Sequence, residues 1–134
     1  MERAFATLHP AEAGPPPVQT DLILADLAEL GFVAPTASAD PGLADNFEAL
    51  GAAWVVAGSS LGNRAMLARR RKAGLEGADR FLSDTTMPDY FGGLLPALEE
   101  PANHTQFASV VDGAHKTFQL FETAFAGQQF ENAA

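Results

Sequence analysis

Three histidines, His9, His104 and His115, are the side chains best suited to bind a metal ion. The neutral imidazole of histidine is a common metal ligand. His104 and His115 are eleven residues apart, about three helical turns, so one ion cannot bind to both from the same helix. We expect both to be exposed on the last helix, whereas His9 precedes Pro10, which disfavours helix at His9 itself. The chain has no cysteine, which excludes disulfides, thiolate ligands and a cysteine nucleophile.

A pair of glycines could bring a ligand or a helix close to the backbone. Gly58 and Gly62 are four residues apart in the proline-free segment 47–72, so a helix there has both on one side. Glycine costs a helix interior about 1 kcal/mol relative to alanine. We therefore expect a neighbouring group to approach more closely than a Cβ would allow. Close packing of a second helix is the alternative explanation.

A basic cluster follows the glycines at the end of the same segment. It holds five of the eight Lys and Arg residues, namely Arg64, Arg69, Arg70, Arg71 and Lys72. Guanidinium groups there could bind the carboxylates of a ligand or of an acidic partner. Cations are also favourable near any helix C-terminus, because of the helix dipole. Both explanations stay open.

The chain as a whole has the composition of one acidic, folded domain. Its 134 residues, 47% of them hydrophobic and 19% charged, suit a single core. A net charge of -9 disfavours non-specific binding to nucleic acid. The apolar runs are shorter than the roughly 20 residues of a membrane span, and the N-terminus has no signal-peptide pattern. We expect a cytoplasmic protein without a membrane span.

Apolar residues at helical spacing predict an all-α fold. The predicted helical segments are 21–30, 47–72, 79–82, 94–98 and 103–125. Thr20 or Asp21 should cap the first, Gly31 should follow it, and the long helix should begin near Asp45. We expect irregular structure at 1–19, 35–42 and 83–93, and a frayed tail at 128–134.

The large apolar residues of the two longest helices are expected in the core. On the first of these helices they are Phe47, Leu50, Trp54, Leu61 and Met66. On the last helix they are Phe107, Val110, Val111, Ala114, Phe118, Phe121 and Phe125.

The run from Trp54 to Asn63, WVVAGSSLGN, resembles a motif of the bacterial biliverdin-producing heme oxygenases. The family motif consists of an aromatic residue, Val, Val or Leu, Glu, Gly, Ser, two variable residues and two glycines. Segments 24–31, 81–91 and 116–121 are similar to other parts of that family and follow in the same order. The resemblance covers most of the chain from about residue 21 onward.

The resemblance implies a heme oxygenase-like helical bundle with heme between a proximal and a distal helix. Trp54, Gly58, Ser59 and Gly62 would belong to the distal helix, which kinks at its glycines and places its backbone against the porphyrin face. Gly58, Ser59 and Gly62 would be the catalytic positions.

The remaining contacts to heme are also implied by the resemblance. Lys116 and Arg64 would lie near the heme propionates. We expect the chain to lack the family's N-terminal proximal helix, which leaves His9 as the one histidine ahead of the motif that could be an axial iron ligand.

Two functions are therefore expected from the sequence. The first is a heme oxygenase-like protein that binds heme and, with an electron donor, cleaves it to biliverdin, iron and CO. The second is a non-catalytic helical interaction or assembly protein that kept the fold but lost the axial ligand and the activity. Ala57 and Asn63, which stand where the family has Glu and Gly, favour the second. A protein partner or a second copy would then cover the groove left by the missing helix.

Overall fold

The computed structural model of this chain describes residues 1–34, 39–99 and 101–133, with side chains described as far as 126. Its α-helices are α1 (Thr20–Glu29), α2 (Asn46–Ser59), α3 (Asn63–Lys72), α4 (Arg80–Ser83), α5 (Thr86–Leu94) and α6 (His104–Ala133). Short 3-10 turns lie at Ala4–Ala6, Ser60–Gly62 and Pro96–Glu99. No strand occurs in the described ranges, so the all-α prediction is confirmed. No described helix is both long enough and apolar enough to cross a bilayer.

The core is built on the contact between α2 and α6, which meet backbone to backbone at two glycines. A Cβ on Gly51 would overlap the carbonyl oxygen of Val110 and lie 2.8 Å from the amide nitrogen of Ala114. A Cβ on Gly113 would overlap the carbonyl oxygen of Glu48. Because residue 48 lies beside residue 113 and residue 51 beside residue 110, α2 and α6 run antiparallel.

The faces that pack together in this contact carry small side chains, contrary to the sequence prediction. On α2, Ala49, Ala52, Ala53 and Ala57 are fully buried. The predicted core residues Trp54, Leu61 and Met66 are instead 40%, 58% and 46% exposed, whereas Leu50 is buried as predicted. Small residues let the helix axes approach closely, which turns the large residues of α2 outward.

The same reversal holds on α6. Val110, Gly113 and Thr117 form its buried face, so that Val110 is buried as predicted, while Phe107, Phe118 and Phe125 are 59%, 49% and 65% exposed. The prediction that these phenylalanines form the core is wrong. Helical spacing identifies a stripe of apolar residues but does not show which of two stripes faces the partner helix.

A carboxylate from a distant part of the chain caps α1, and a local one caps α2. Glu2 accepts hydrogen bonds from the backbone N–H of Gln19 (2.6 Å) and from the N–H of Thr20 (2.9 Å) at the start of α1. The predicted cap at Thr20 or Asp21 is therefore wrong, because the capping group comes from the N-terminal segment. The predicted start of α2 is confirmed, since Asp45 accepts from the N–H of Glu48 at 2.8 Å.

A buried carboxylate joins α1 to α4. Asp26 accepts from the N–H groups of Arg80 (3.1 Å) and Phe81 (2.9 Å) and from the Arg80 guanidinium (3.0 Å). Burial acts to raise the pKa of Asp26, but the bonds from Phe81 and Arg80 outweigh it and hold the pKa below its ordinary value. The charge of Asp26 thus fixes α4, which has only four residues.

The segment 83–93, predicted to be irregular, is mostly helix α5. Asp84 accepts from the N–H groups of Thr86 and Met87, both at 3.3 Å, and so satisfies the start of the helix. Pro88 lies in the first turn, where a missing N–H costs little. The chain then makes a 3-10 turn at Pro96–Glu99 instead of the predicted helix at 94–98.

Two predicted irregular segments fall partly outside the described residues. Positions 35–38 of the predicted loop at 35–42 and position 134 of the predicted tail at 128–134 lie there. The backbone of α6 stays helical to Ala133, past the predicted start of the tail at 128.

Candidate functional site: an apolar groove between α2 and α6

An apolar groove of about 470 Å³ lies along the outward faces of α2 and α6. Its lining residues are Gly51, Trp54, Leu98, Phe107, Val110, Val111, Ala114, His115 and Phe118. The volume falls within the range of roughly 300–1,000 Å³ that is usual for small-molecule sites. The large exposed fractions of Trp54, Phe107 and Phe118 show that the groove is open to solvent.

The groove follows from the close approach of the two helices. Gly51 brings the backbones of α2 and α6 together and forms the floor of the groove. Trp54, one turn later on α2, forms one wall, and Phe107 and Phe118 of α6 form the other. Leu98, which follows α5 in a 3-10 turn, also lines the groove.

His115 is the only titratable side chain among the described lining residues, and the sequence predicted only that it is exposed on the last helix. It is exposed, as predicted, but it lies on the groove side of α6. The spacing in the sequence could have placed His115 beside the aromatic residues of α6, because residues 107, 111, 115 and 118 share one helical face. Within the described part of the chain, no group of three or more acidic or histidine side chains is arranged to hold a metal ion.

The predicted site residues Gly58 and Gly62 do not line this groove. A Cβ on Gly58 would lie 3.5 Å from the ring of Phe91, an ordinary contact, and a Cβ on Gly62 would meet no atom within 4 Å. The expected close approach at these glycines is therefore wrong, and it occurs at Gly51 and Gly113 instead.

The stretch around Gly58 and Gly62 nevertheless departs from regular helix. A 3-10 turn at Ser60–Gly62 separates α2 from α3, and such turns within a long helix often mark a hinge or local strain. The exposed Ser59 donates its hydroxyl to the carbonyl oxygen of Val56 at 2.6 Å. Trp54, Gly58 and Gly62 are spaced by four residues, so they follow one side of α2 and the turn.

The predicted cationic contacts lie away from the groove. Lys116 donates to both carboxylate oxygens of Glu48, at 2.8 and 3.0 Å, and to the carbonyl oxygen of Gly42 at 3.1 Å. Burial acts to raise the pKa of Glu48, but the bonds from Lys116 and from the Ala44 N–H outweigh it and lower the pKa. Lys116 thus neutralises a buried carboxylate, while Arg64 is exposed on α3.

Part of the basic cluster stabilises the end of α3. Arg70 donates to the carbonyl oxygen of Gly77 at 2.8 Å, and Arg71 lies 3.8 Å from the carboxylate of Asp79. Arg69 and Lys72 are exposed. The cluster therefore has a structural role at two of its five positions.

His9 is separate from the other predicted site residues. Its ring nitrogen Nδ1 lies 3.1 Å from the carbonyl oxygen of Pro10, in the segment between the first 3-10 turn and α1. It is not among the residues that line the groove. Of the predicted site residues, Trp54 alone reaches the groove.

Comparison with protein-family models, with curated proteins and with solved structures found no match to this chain.

Proposed function

We propose that this chain binds heme, with one edge or face of the macrocycle in the groove between α2 and α6. The observation that carries the proposal is the open apolar groove itself, in which Trp54 faces Phe107 and Phe118. Trp54 is also the first residue of the run that resembles the heme oxygenase motif. A flat aromatic ligand fits an open slot between aromatic side chains, because offset stacking and apolar burial both favour it.

The lining residues suit the separate parts of heme. The apolar walls match the porphyrin, and the imidazole of His115 is an appropriate ligand for heme iron. We therefore favour His115 over His9 as the axial ligand. The propionates would point toward solvent at the open rim. Lys116 is engaged by Glu48 and Arg64 does not line the groove, so the propionates would be solvated rather than paired with either cation.

Heme supplies the chemistry of oxygen activation when it is bound, and reduction by an electron donor would lead to biliverdin, iron and CO. The chain's own residues would bind the macrocycle, orient it and exclude water from one face. Ser59 and Gly62 are exposed and Gly58 is half-buried, and none of the three lines the groove. Their assignment to a face directed at the ligand stays a prediction from the resemblance.

The test is a hemin titration followed by the Soret band, with two matched variants. Phe118→Ser removes a groove wall, whereas Phe125→Ser removes an exposed phenylalanine of the same helix that does not line the groove. We expect saturable binding near one hemin per chain, weakened about tenfold or more by Phe118→Ser and little changed by Phe125→Ser. Unsaturable binding, or equal effects of both variants, would refute the site.

Two further readouts address the ligand and the activity. His115→Ala should shift the Soret band of the complex, whereas His104→Ala and His9→Ala should not. Ascorbate added to the complex in air should produce biliverdin absorption if the bound heme is turned over. A stable complex without biliverdin would assign binding without catalysis.

The second candidate function is a non-catalytic helical interaction protein. It is favoured by the burial of Ala57 and Asn63, which are 0% and 5% exposed, so neither of these departures from the family motif presents a side chain to a ligand. It is also favoured by the exposed aromatic side chains of α6. A chain that associates through the groove and fails to bind hemin would fit this function.

A further inference from the structure

A long apolar stripe on the outward face of α6 is only partly covered by the other described residues. It consists of Phe107, Val111, Ala114, Phe118, Phe121 and Phe125, which follow one another at intervals of four and three residues. Alternating intervals of three and four are the a and d positions of a heptad repeat, the pattern by which one helix packs along another. The stripe is about 27 Å long, since a helix rises 1.5 Å per residue.

From this pattern we infer that α6 pairs with α6 of a second copy of the chain, side by side and antiparallel. In an antiparallel pair each a position packs against a d position of the other copy. The register that aligns the whole stripe is symmetric about residue 116. It puts Phe107 against Phe125, Val111 against Phe121, and Ala114 against Phe118 of the second copy.

The sizes of the paired side chains fit this register. Ala114 and Val111, the two smallest members of the stripe, each face a phenylalanine, so large and small side chains alternate across the pair. A parallel pair would instead put Ala114 against Ala114 and Phe118 against Phe118, which leaves a gap beside an overfilled layer. The antiparallel arrangement therefore packs the same residues more evenly.

The exposed area approaches what a specific dimer needs. With about 200 Å² for a whole phenylalanine, the exposed fractions of Phe107 (59%), Phe118 (49%) and Phe125 (65%) give about 350 Å² per copy. Two copies would bury about 700 Å² from these side chains alone. Val111, Trp54 and the flanking backbone bring the interface near the roughly 1,000 Å² at which specific interfaces begin.

Charge also allows the pairing. The stripe contains no charged side chain, and the residues that flank it on the solvent side are Ala108, His115 and Glu122. The net charge of -9 on each copy opposes association at low ionic strength. The dimer should therefore strengthen as salt is added, because salt screens repulsion between copies.

The inferred dimer does not depend on heme, although heme and the second copy would use the same surface of α6. Phe107, Val111, Ala114 and Phe118 belong both to the stripe and to the groove. Heme in the groove and a second copy on α6 would then compete, so hemin should shift the chain toward monomer by mass action.

The experiment is sedimentation equilibrium of the wild type and of variants at opposite ends of the stripe. Phe107→Glu and Phe125→Lys each put a charge against a phenylalanine in a self-paired dimer, and each should raise the dissociation constant by about tenfold or more. An equimolar mixture of the two variants should recover a dimer, because the new carboxylate then faces the new ammonium at one end. Thr123→Lys, at an exposed position off the stripe, is the control and should leave the dissociation constant unchanged.

Three results would overturn the inference. The first is a wild-type chain that stays monomeric at roughly 100 μM. The second is a dissociation constant that Thr123→Lys raises as much as the stripe variants do. The third is an equimolar mixture of Phe107→Glu and Phe125→Lys that does not dimerise, which would refute the antiparallel register. Circular dichroism should confirm that each variant keeps its helix content. Hemin binding to Phe125→Lys separates this inference from the proposed function, because Phe125 lies outside the groove.

Discussion

Gly51→Ala should destabilise this protein, although alanine is the better helix former. At this position α2 has no room for a methyl group, because a Cβ would overlap the carbonyl oxygen of Val110 and lie 2.8 Å from the amide nitrogen of Ala114. Both atoms belong to the backbone of α6, so no side-chain rotation can relieve the overlap. The two helices would have to move apart by about 1 Å or more, to ordinary carbon–oxygen contact distances.

The expected loss in the free energy of unfolding of Gly51→Ala follows from two opposing effects. Alanine gains about 1 kcal/mol of helix stability over glycine. Separating α2 from α6 loosens the packing of Ala52, Ala53 and Val110, and overpacking of this kind costs about 1–3 kcal/mol or more. Since the overlap is with backbone, we expect the cost to be at the upper end and the net loss to be about 2 kcal/mol.

Gly62→Ala is the matched control. Its Cβ would meet nothing within 4 Å, and its φ of -81° is one that alanine adopts readily. We expect it to be neutral or to stabilise the protein by up to about 1 kcal/mol. Urea unfolding followed by circular dichroism should show a lower midpoint for Gly51→Ala only. An unchanged or higher midpoint for Gly51→Ala would refute the backbone contact between α2 and α6.

Four further predictions concern the buried polar contacts. Asp26→Asn should lower the free energy of unfolding by about 2–3 kcal/mol, because the ion pair with Arg80 is lost and one acceptor becomes a donor. Urea unfolding measures this loss, and a loss below about 0.5 kcal/mol would contradict the prediction. Lys116→Met should cost about 2–3 kcal/mol at pH 7, since it leaves the buried carboxylate of Glu48 without its ammonium partner, and the cost should shrink in acid, where Glu48 becomes protonated. The free energy of unfolding should fall in acid, because folding lowers the pKa values of Asp26, Glu48 and Asp84. These three carboxylates stabilise the fold fully above their unfolded pKa values near 4, and that stabilisation is lost as the pH drops through their folded pKa values. Equal urea midpoints at about pH 7 and pH 3 would rule this out. Finally, burial raises the pKa of Tyr90 to about 12, so its absorbance should titrate well above that of free tyrosine, and Tyr90→Phe, which removes the 2.8 Å bond to the Gly14 carbonyl, should cost about 1 kcal/mol.

The sequence was sufficient to predict most of the helical segments, but not α5 or the 3-10 turn between α2 and α3, because the signals of the predicted segments are local. Asp45 caps α2 and Gly31, with φ +80°, ends α1, and both were recognised from residue type and position alone. Helix α5 was not predicted, because Pro88 and the pair Gly92 and Gly93 are residue types typical of irregular structure. In the structure Pro88 lies in the first turn, and Asp84 accepts from the first N–H groups of the helix. The cap of α1 could not be predicted, because it depends on Glu2, which is distant in sequence from Thr20.

The groove could not be predicted because it depends on which face of each helix is buried. The large residues of α2 and α6 suggested a core, yet the buried faces carry alanine, glycine and threonine, and the aromatic faces point outward. Gly51 and Gly113 looked unremarkable next to the pair Gly58 and Gly62, since sequence spacing does not report contacts between helices. Of the residues predicted as site residues, only Trp54 lies in the groove; Phe107, Val110, Val111, Ala114 and Phe118 were predicted as core residues instead.

The most direct test of heme binding in the groove is the fluorescence of Trp54, the single tryptophan of the chain. Energy transfer from tryptophan to heme is efficient across a domain of this size, so quenching reports binding, and a weaker response in Phe118→Ser than in Phe125→Ser reports the groove. We expect hemin to quench the Trp54 emission almost completely, with saturation at one hemin per chain. Emission that declines gradually and without saturation, or that survives while a Soret band forms, would place heme elsewhere or exclude it from this protein.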